Sequence, residues 1–394
     1  MAVNSHKPIR QFDAITATRE LFHFCFWLAR TYARGAKPAD GLAFNPAFLP
    51  AAALFDRRLP QTSWRACPGA AKCRLVSELL PVPEPVLKAR LRAAMAVLAL
   101  EGIYLGTSSW KYPGWCGQLY DEPRYAYRGK FAEARFERDC LTEYAEVFKT
   151  VCVDAAYYQF PSEKYLAGLV EKVPADFRFT FKVTDDITLK RFTNLPRFGI
   201  KAGKPNSNFL NADLFERAFL KACEPFRKSV GLLIFEFSRF YATDYQHGRD
   251  FVVDLDRFLA RLPKGWHYGV ELRNKDWLQP DYFTVLRRHG VVHVFNNWSM
   301  MPTVGEQMVV PGSDTSDSMV AARFLLKPGR NYEDAVKEFS PYKSVKEVND
   351  EAREAGKKLI AGAKQQAKQA FIYVNNRLEG NALETIAAMT ESNS

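Results

Sequence analysis

The chain has 394 residues, 47% of them hydrophobic and 25% charged. That is an ordinary globular balance, long enough for one barrel of roughly 250–300 residues plus an added segment. The formal net charge of +11 is unevenly placed, because residues 1–100 hold 14 Lys/Arg against 6 Asp/Glu. The remainder is close to neutral, so global charge gives little support to a nucleic-acid groove. The longest apolar stretch near the N-terminus, residues 21–29, is flanked by Arg19, Glu20 and Arg30. It is far short of the about 20 residues of a membrane span and lacks a small-residue cleavage site, so neither a span nor a secretory signal is expected. The seven cysteines are scattered and form no CxxC pair, which predicts reduced thiols in the cytoplasm.

Residues 1–83 are rich in proline and poor in periodicity. They read as an irregular N-terminal extension with one helix near residues 17–34. Residues 84–100, dominated by Ala, Leu, Arg and Lys, read as a helix with Pro85 in its first turn. Eight short apolar runs then follow, each ending in polar or charged residues: IYLGTSSW (103–110), VCVDAAYY (151–158), FRFTFKV (177–183), GLLIFEFS (231–238), HYGVELRN (267–274), VVHVFNN (291–297), MVAARFLLK (319–327) and FIYVNNR (371–377). Most are separated by enough chain for a helix. A second long helix is expected over about 342–369. Strands alternating with helices predict a parallel sheet, and eight such units predict an α/β fold, a TIM-type (β/α)8 barrel. The barrel domain, leading helix included, is placed at 84–392. Such barrels carry their chemistry at the C-terminal ends of the strands.

Side chains alternate between the faces of a strand. If Phe177, Phe179 and Phe181 pack on the outer helices, Lys182 points into the mouth. The same alternation turns Asp154, Glu236, Glu271, Arg273, Arg323 and Lys327 inward, and Asn296, Asn297, Asn375 and Asn376 end two further strands. Burying unpaired charge is costly, so this convergence reads as a polar ligand mouth. A structural ion pair remains the alternative for any one of these residues. Trp110, Tyr157 and Tyr158 cluster at the ends of the first two strands, where they could line a ligand or simply pack. His247, His267, His289 and His293 lack ligand spacing, and no metal is assigned. No Walker A, GxGxxG or GxSxG motif occurs, so the cofactor stays unknown, as do the oligomeric state and whether a reaction occurs.

GTSSWKYPGW (106–115) with Tyr120 resembles the opening signature of the YecE-like family, domain of unknown function 72. VCVDAAYYQFPS (151–162), FRFTFKVTDDIT (177–188), GVELRNKDW (269–277) and YVNNRLEGNALETI (373–386) resemble further family segments in the same order. The resemblance spans about residues 84–390 and implies a TIM-type barrel of unassigned activity. The chain departs from the family pattern at Cys152 and Asp154, where Glu and Asn are common, at Leu189, where His is frequent, and at Glu236 and Ser238, which replace a Gln-x-Pro-like ending. The expected function is to bind or transform a small polar or anionic ligand at the mouth. Lys182, Glu271 and Arg273 stand at its centre, a carboxylate for proton transfer with cations for an anionic group. A nucleic-acid-acting barrel, or a non-catalytic binding or scaffold protein that uses the extension, are the alternatives.

Overall fold

The computed structural model describes residues 84–391; the expected extension over 1–83 and its helix near 17–34 lie outside the described residues. Each apolar run becomes a strand: β1 Ile103–Thr107, β2 Thr150–Val153, β3 Arg178–Lys182, β4 Val230–Phe237, β5 Tyr268–Leu272, β6 Val292–Asn297, β7 Met319–Phe324 and β8 Gln369–Val374. Every strand pairs in parallel with its neighbours in sequence, and β1 closes the sheet onto β8, with Thr107 opposite Val374. This is the TIM-type (β/α)8 barrel that the strand-helix rhythm predicts.

The longer helices are α1 Val86–Leu100, α2 Glu133–Ala145, α3 Glu163–Val170, α4 Gly248–Ala260, α5 Pro280–His289, α6 Asp350–Gln365 and α7 Ala382–Thr390, with a further eight-residue helix, Tyr332–Phe339, between α5 and α6. The crossover from β3 to β4 is shorter-grained, with a π turn at Glu216–Leu220 between two short α segments. α4 shows the usual logic. Phe251, Val252, Leu255, Phe258 and Leu259 recur at helical spacing and are buried, while the opposite face is charged. α1 begins after Pro85, which caps the helix instead of lying within it. Its Leu91, Met95 and Leu98 are buried. Its Lys88 pairs with Glu143 of α2 at 3.3 Å and with Glu146 at 2.9 Å. Glu143 also accepts from the Tyr125 hydroxyl at 2.7 Å.

The long helix expected over 342–369 is shorter at both ends. Tyr342 sits in the left-handed region at φ 69°, which a helix cannot continue through. Asn349 then caps α6, accepting from the Ala352 N–H. The intervening segment is tied down by buried Glu379. That carboxylate accepts from the Asn349 N–H and from Arg353, while its backbone carbonyl accepts from the N–H of Lys346.

Inside the barrel, Cys152, Leu232, Ile234, Val292, Val294, Met319, Ala321, Phe371 and Tyr373 form a separate apolar core, with Tyr104 packed against it. The Tyr373 hydroxyl donates to Thr180 Oγ1 at 2.6 Å and lies 2.7 Å from Thr150 Oγ1. Phe177, Phe179 and Phe181 point the other way, into the layer under the helices. The interior below the mouth is therefore filled, and the layer above it is polar. Among the described residues no helix is long and apolar enough to cross a membrane.

A polar ring at the barrel mouth

Two residues past the last filled layer, the inward positions change chemistry. Ile234 gives way to Glu236, Gly269 to Glu271, Val294 to Asn296, Ala321 to Arg323, and Thr180 to Lys182. Cys152 gives way to Asp154. Strand alternation keeps each on the inner face. In the sheet register Glu236 stands opposite Glu271, and Asn296 opposite Arg323.

The six charges contact one another. Glu236 Oε2 takes Lys182 Nζ at 2.5 Å, Arg273 Nη2 at 2.9 Å and Arg323 Nη1 at 3.3 Å. Glu271 Oε1 accepts from Arg273 Nε and Nη2 at 3.0 and 2.9 Å, and its Oε2 accepts from Arg323 Nη1 at 2.6 Å. Arg323 Nη2 reaches Asp154 Oδ1 at 3.3 Å. Three carboxylates thus balance three cations. The structure brings Lys182, Glu271 and Arg273 together, linked through Glu236.

Burial differs across this network. Glu271, Glu236 and Arg323 are at most 2% exposed, whereas the Asp154 side chain is 34% exposed. Arg323 gives the Asp154 carboxylate its only hydrogen bond among the described residues. Asp154 is therefore the acid that solvent or a ligand reaches. Burial opposes charge on Glu236, yet Arg273, Lys182 and Arg323 hold its carboxyl well below the usual range. Burial likewise opposes charge on Lys182, and Glu236 and Asp154 more than offset it, raising its pKa. The deeper Cys152 thiol is pushed up to about 12 by burial, so it stays protonated.

Rings flank the cations. Lys182 Nζ lies 3.8 Å from the centre of the Tyr157 ring, and the Arg273 guanidinium stacks 3.8 Å over Trp298. Three buried polar atoms of this layer have no hydrogen-bond partner among the described residues: Ser108 Oγ after β1, Asn296 Oδ1 and Arg323 Nε. Asn296 Nδ2 donates to the Leu272 carbonyl at 3.3 Å.

Other sequence-predicted residues stand elsewhere. Lys327 is not inside the mouth; it is largely exposed and pairs with Glu347 at 2.5 Å. Alternation stops at the end of β7, where Leu325 and Leu326 are both buried. Trp110 borders a groove of about 420 Å³ between α2 and α3. Tyr158 lies on the outer rim, 60% exposed, edge-on to Tyr157. Asn297 and Asn376 turn to helix starts: Asn297 Oδ1 accepts from Val304 N–H and Asn376 Oδ1 from Ala382 N–H, both at 2.7 Å. Asn375 Oδ1 accepts from the Arg377 N–H at 3.0 Å. Sequence reasoning missed Ser108, Trp298 and Arg377. Trp298 directly follows the Asn pair of β6, so its position was the available signal.

No group of three or more His, Cys, Asp or Glu among the described residues is placed to hold a metal ion. The mouth carboxylates are instead taken up by Lys and Arg.

The profile of the family described as protein of unknown function DUF72 matches residues 104–394. This chain belongs to the DUF72 family. It is similar to the UPF0759 protein YunF of Bacillus subtilis (strain 168), at 22% identity over 298 residues, covering 73% of this chain and 94% of that one. It is also similar in fold to the crystal structure of a DUF72 family protein from Enterococcus faecalis V583, with a TM-score of 0.50 and 19% identity, over 73% of this chain and 94% of that chain. The departures from the DUF72 resemblance now have places. Cys152 lies in the inner core, Leu189 is buried, and Asp154 and Glu236 are two of the three mouth carboxylates.

Proposed function

We propose that the mouth binds a small polar or anionic ligand, and that Asp154 and Lys182 are the groups that touch it. The observation that carries this reading is the uneven satisfaction of the ring. Glu236 and Glu271 are saturated by cations, while the Asp154 carboxylate is open and holds one hydrogen bond among the described residues. The Lys182 ammonium has three donors and a single carboxylate contact within 4 Å among the described residues. An accessible acceptor beside a charged donor suits a ligand that offers both a hydroxyl or amine and an oxygen. If a reaction follows, Asp154 takes or returns the proton and Lys182 steadies developing negative charge. Glu271 and Arg273 then act as positioning residues, holding Arg323 and Glu236 in place.

Crystals soaked with cocktails of polar and acidic metabolites test this. The expected result is a compound within hydrogen-bond distance of both Asp154 and Lys182. Compounds that settle only in outer grooves, such as the one beside Trp110, would count against it.

A further inference from the structure

The neutral ring leaves a question of charge. An anionic ligand needs a cation that the ring has not already neutralised, and Arg377, just past β8, is such a cation. Its side chain is half-buried, no carboxylate lies within 4.0 Å of it among the described residues, and its buried Nε has no hydrogen-bond partner there. A partly desolvated guanidinium without a counter-charge is costly, and its fork of donors suits an oxyanion.

The surroundings form a seat for it. The guanidinium lies 4.5 Å over the Tyr332 ring, and the Asn375 side chain fixes its backbone N–H. Tyr112 and Tyr342 stand edge to face with ring centres 5.5 Å apart. Burial pushes both phenols up, against the opposing charge of Arg377, which also shares a side-chain hydrogen bond with Tyr342, so both hydroxyls stay protonated. Tyr112 also feels Asp154. On the other side, Tyr332 is 6.5 Å from Trp298, which carries Arg273 of the ring. Arg377 is thus connected to the mouth through Tyr332 and Trp298 to Arg273.

We infer that Arg377, stacked on Tyr332 and beside the hydroxyl of Tyr342, is an oxyanion subsite that holds the phosphate or carboxylate end of the mouth's ligand. The inference rests on the proposed mouth reading for the rest of that ligand. It assigns the substrate class: a small polar compound with one terminal anionic group, the polar part over Asp154 and Lys182.

The test uses the full chain and two simple probes, inorganic phosphate and acetate, each against chloride at matched ionic strength, read by thermal shift and calorimetric titration. Phosphate or acetate is expected to raise the melting temperature saturably where chloride does not. Arg377→Gln is expected to lose about tenfold or more in apparent affinity for that anion, the equivalent of one charge-assisted hydrogen bond, while Asp154→Asn keeps or improves it. No saturable response beyond chloride in the parent, or an unchanged response in Arg377→Gln, overturns the subsite. Should Arg377→Gln fail to melt cooperatively, Arg377→Lys keeps the charge and loses the fork; a severalfold weaker response supports the subsite and an unchanged one overturns it. Which of the two probes binds decides between phosphate and carboxylate. The two readings fail separately. If the anion response depends on Arg377 but no larger compound binds in an Asp154- or Lys182-dependent way, the subsite stands and the mouth reading falls.

Discussion

Glu236 is the hinge of the charge balance, because Lys182, Arg273 and Arg323 all converge on its Oε2. Replacing it by Gln leaves three buried cations short of a partner. Glu236→Gln is therefore expected to destabilise the chain by about 3–5 kcal/mol, whereas Asp154→Asn, at the exposed end, should cost about 1 kcal/mol or less. Denaturant melts of the two variants check this, and equal losses would contradict it. Acid sensitivity has two sources. Burial pushes His293, packed edge-on to Tyr282, Phe283 and Phe295, down from 6.5 to about 3. A histidine with a depressed folded value contributes stability above 6.5 that is lost as pH falls from there toward 3, by up to about 1.4 kcal/mol per pH unit. The depressed Glu236 carboxyl contributes stability above the ordinary carboxylate value of about 4.3, lost at still lower pH. His293→Asn is expected to flatten the stability profile between pH 6.5 and 5, and melts across that interval at a common ionic strength would show it. A variant profile as steep as the parent's would place the acid sensitivity elsewhere.

β1 and β2 meet along a thin seam, with Thr107 opposite Val151 as the single register pair. Gly106 makes the seam possible, since a Cβ there would lie 2.4 Å from the Thr150 carbonyl oxygen. Gly106→Ala must push the strands apart, and a loss of at least about 1–3 kcal/mol is expected; chemical denaturation of the variant measures it, and a parent-like midpoint would mean the seam yields easily. Strands were the legible elements here. A run such as FRFTFKV alternates aromatic and polar residues, and β3 with its two faces follows directly. Helix limits were less legible. Composition rich in Lys, Ala and Gln continues through 342–369, but Tyr342 in the left-handed region and the grip of Glu379 on the segment before Asn349 come from distant residues. Period-two reasoning also failed where strands ended, as at Lys327, because nothing in the run marks Phe324 as its last strand residue.

The barrel as a whole stacks an apolar core and a charged layer along its axis. An apolar interior core of Cys152, Ile234, Val294, Ala321 and Phe371 lies under a charged layer of Asp154, Lys182, Glu236, Glu271 and Arg323. That each strand end would supply a polar residue was legible from alternation. That the charges would balance three against three, and that Asp154 alone would stay open, was not, since side-chain reach across a closed sheet leaves no local trace. The proposed anion seat was hidden for the same reason: Tyr332, past β7, meets Arg377, past β8, only once those strands pair. The most direct measurement for a ligand-binding mouth is a thermal-shift screen of the parent chain with polar and acidic metabolites, run beside Lys182→Met and Glu271→Gln. A ligand at 100 times its Kd adds about 2.7 kcal/mol, so a hit is plainly visible. At least one saturable hit is expected that Lys182→Met loses while still melting cooperatively. No hit for the parent, with both variants losing roughly 3–5 kcal/mol, would mean that the charged ring serves the fold alone.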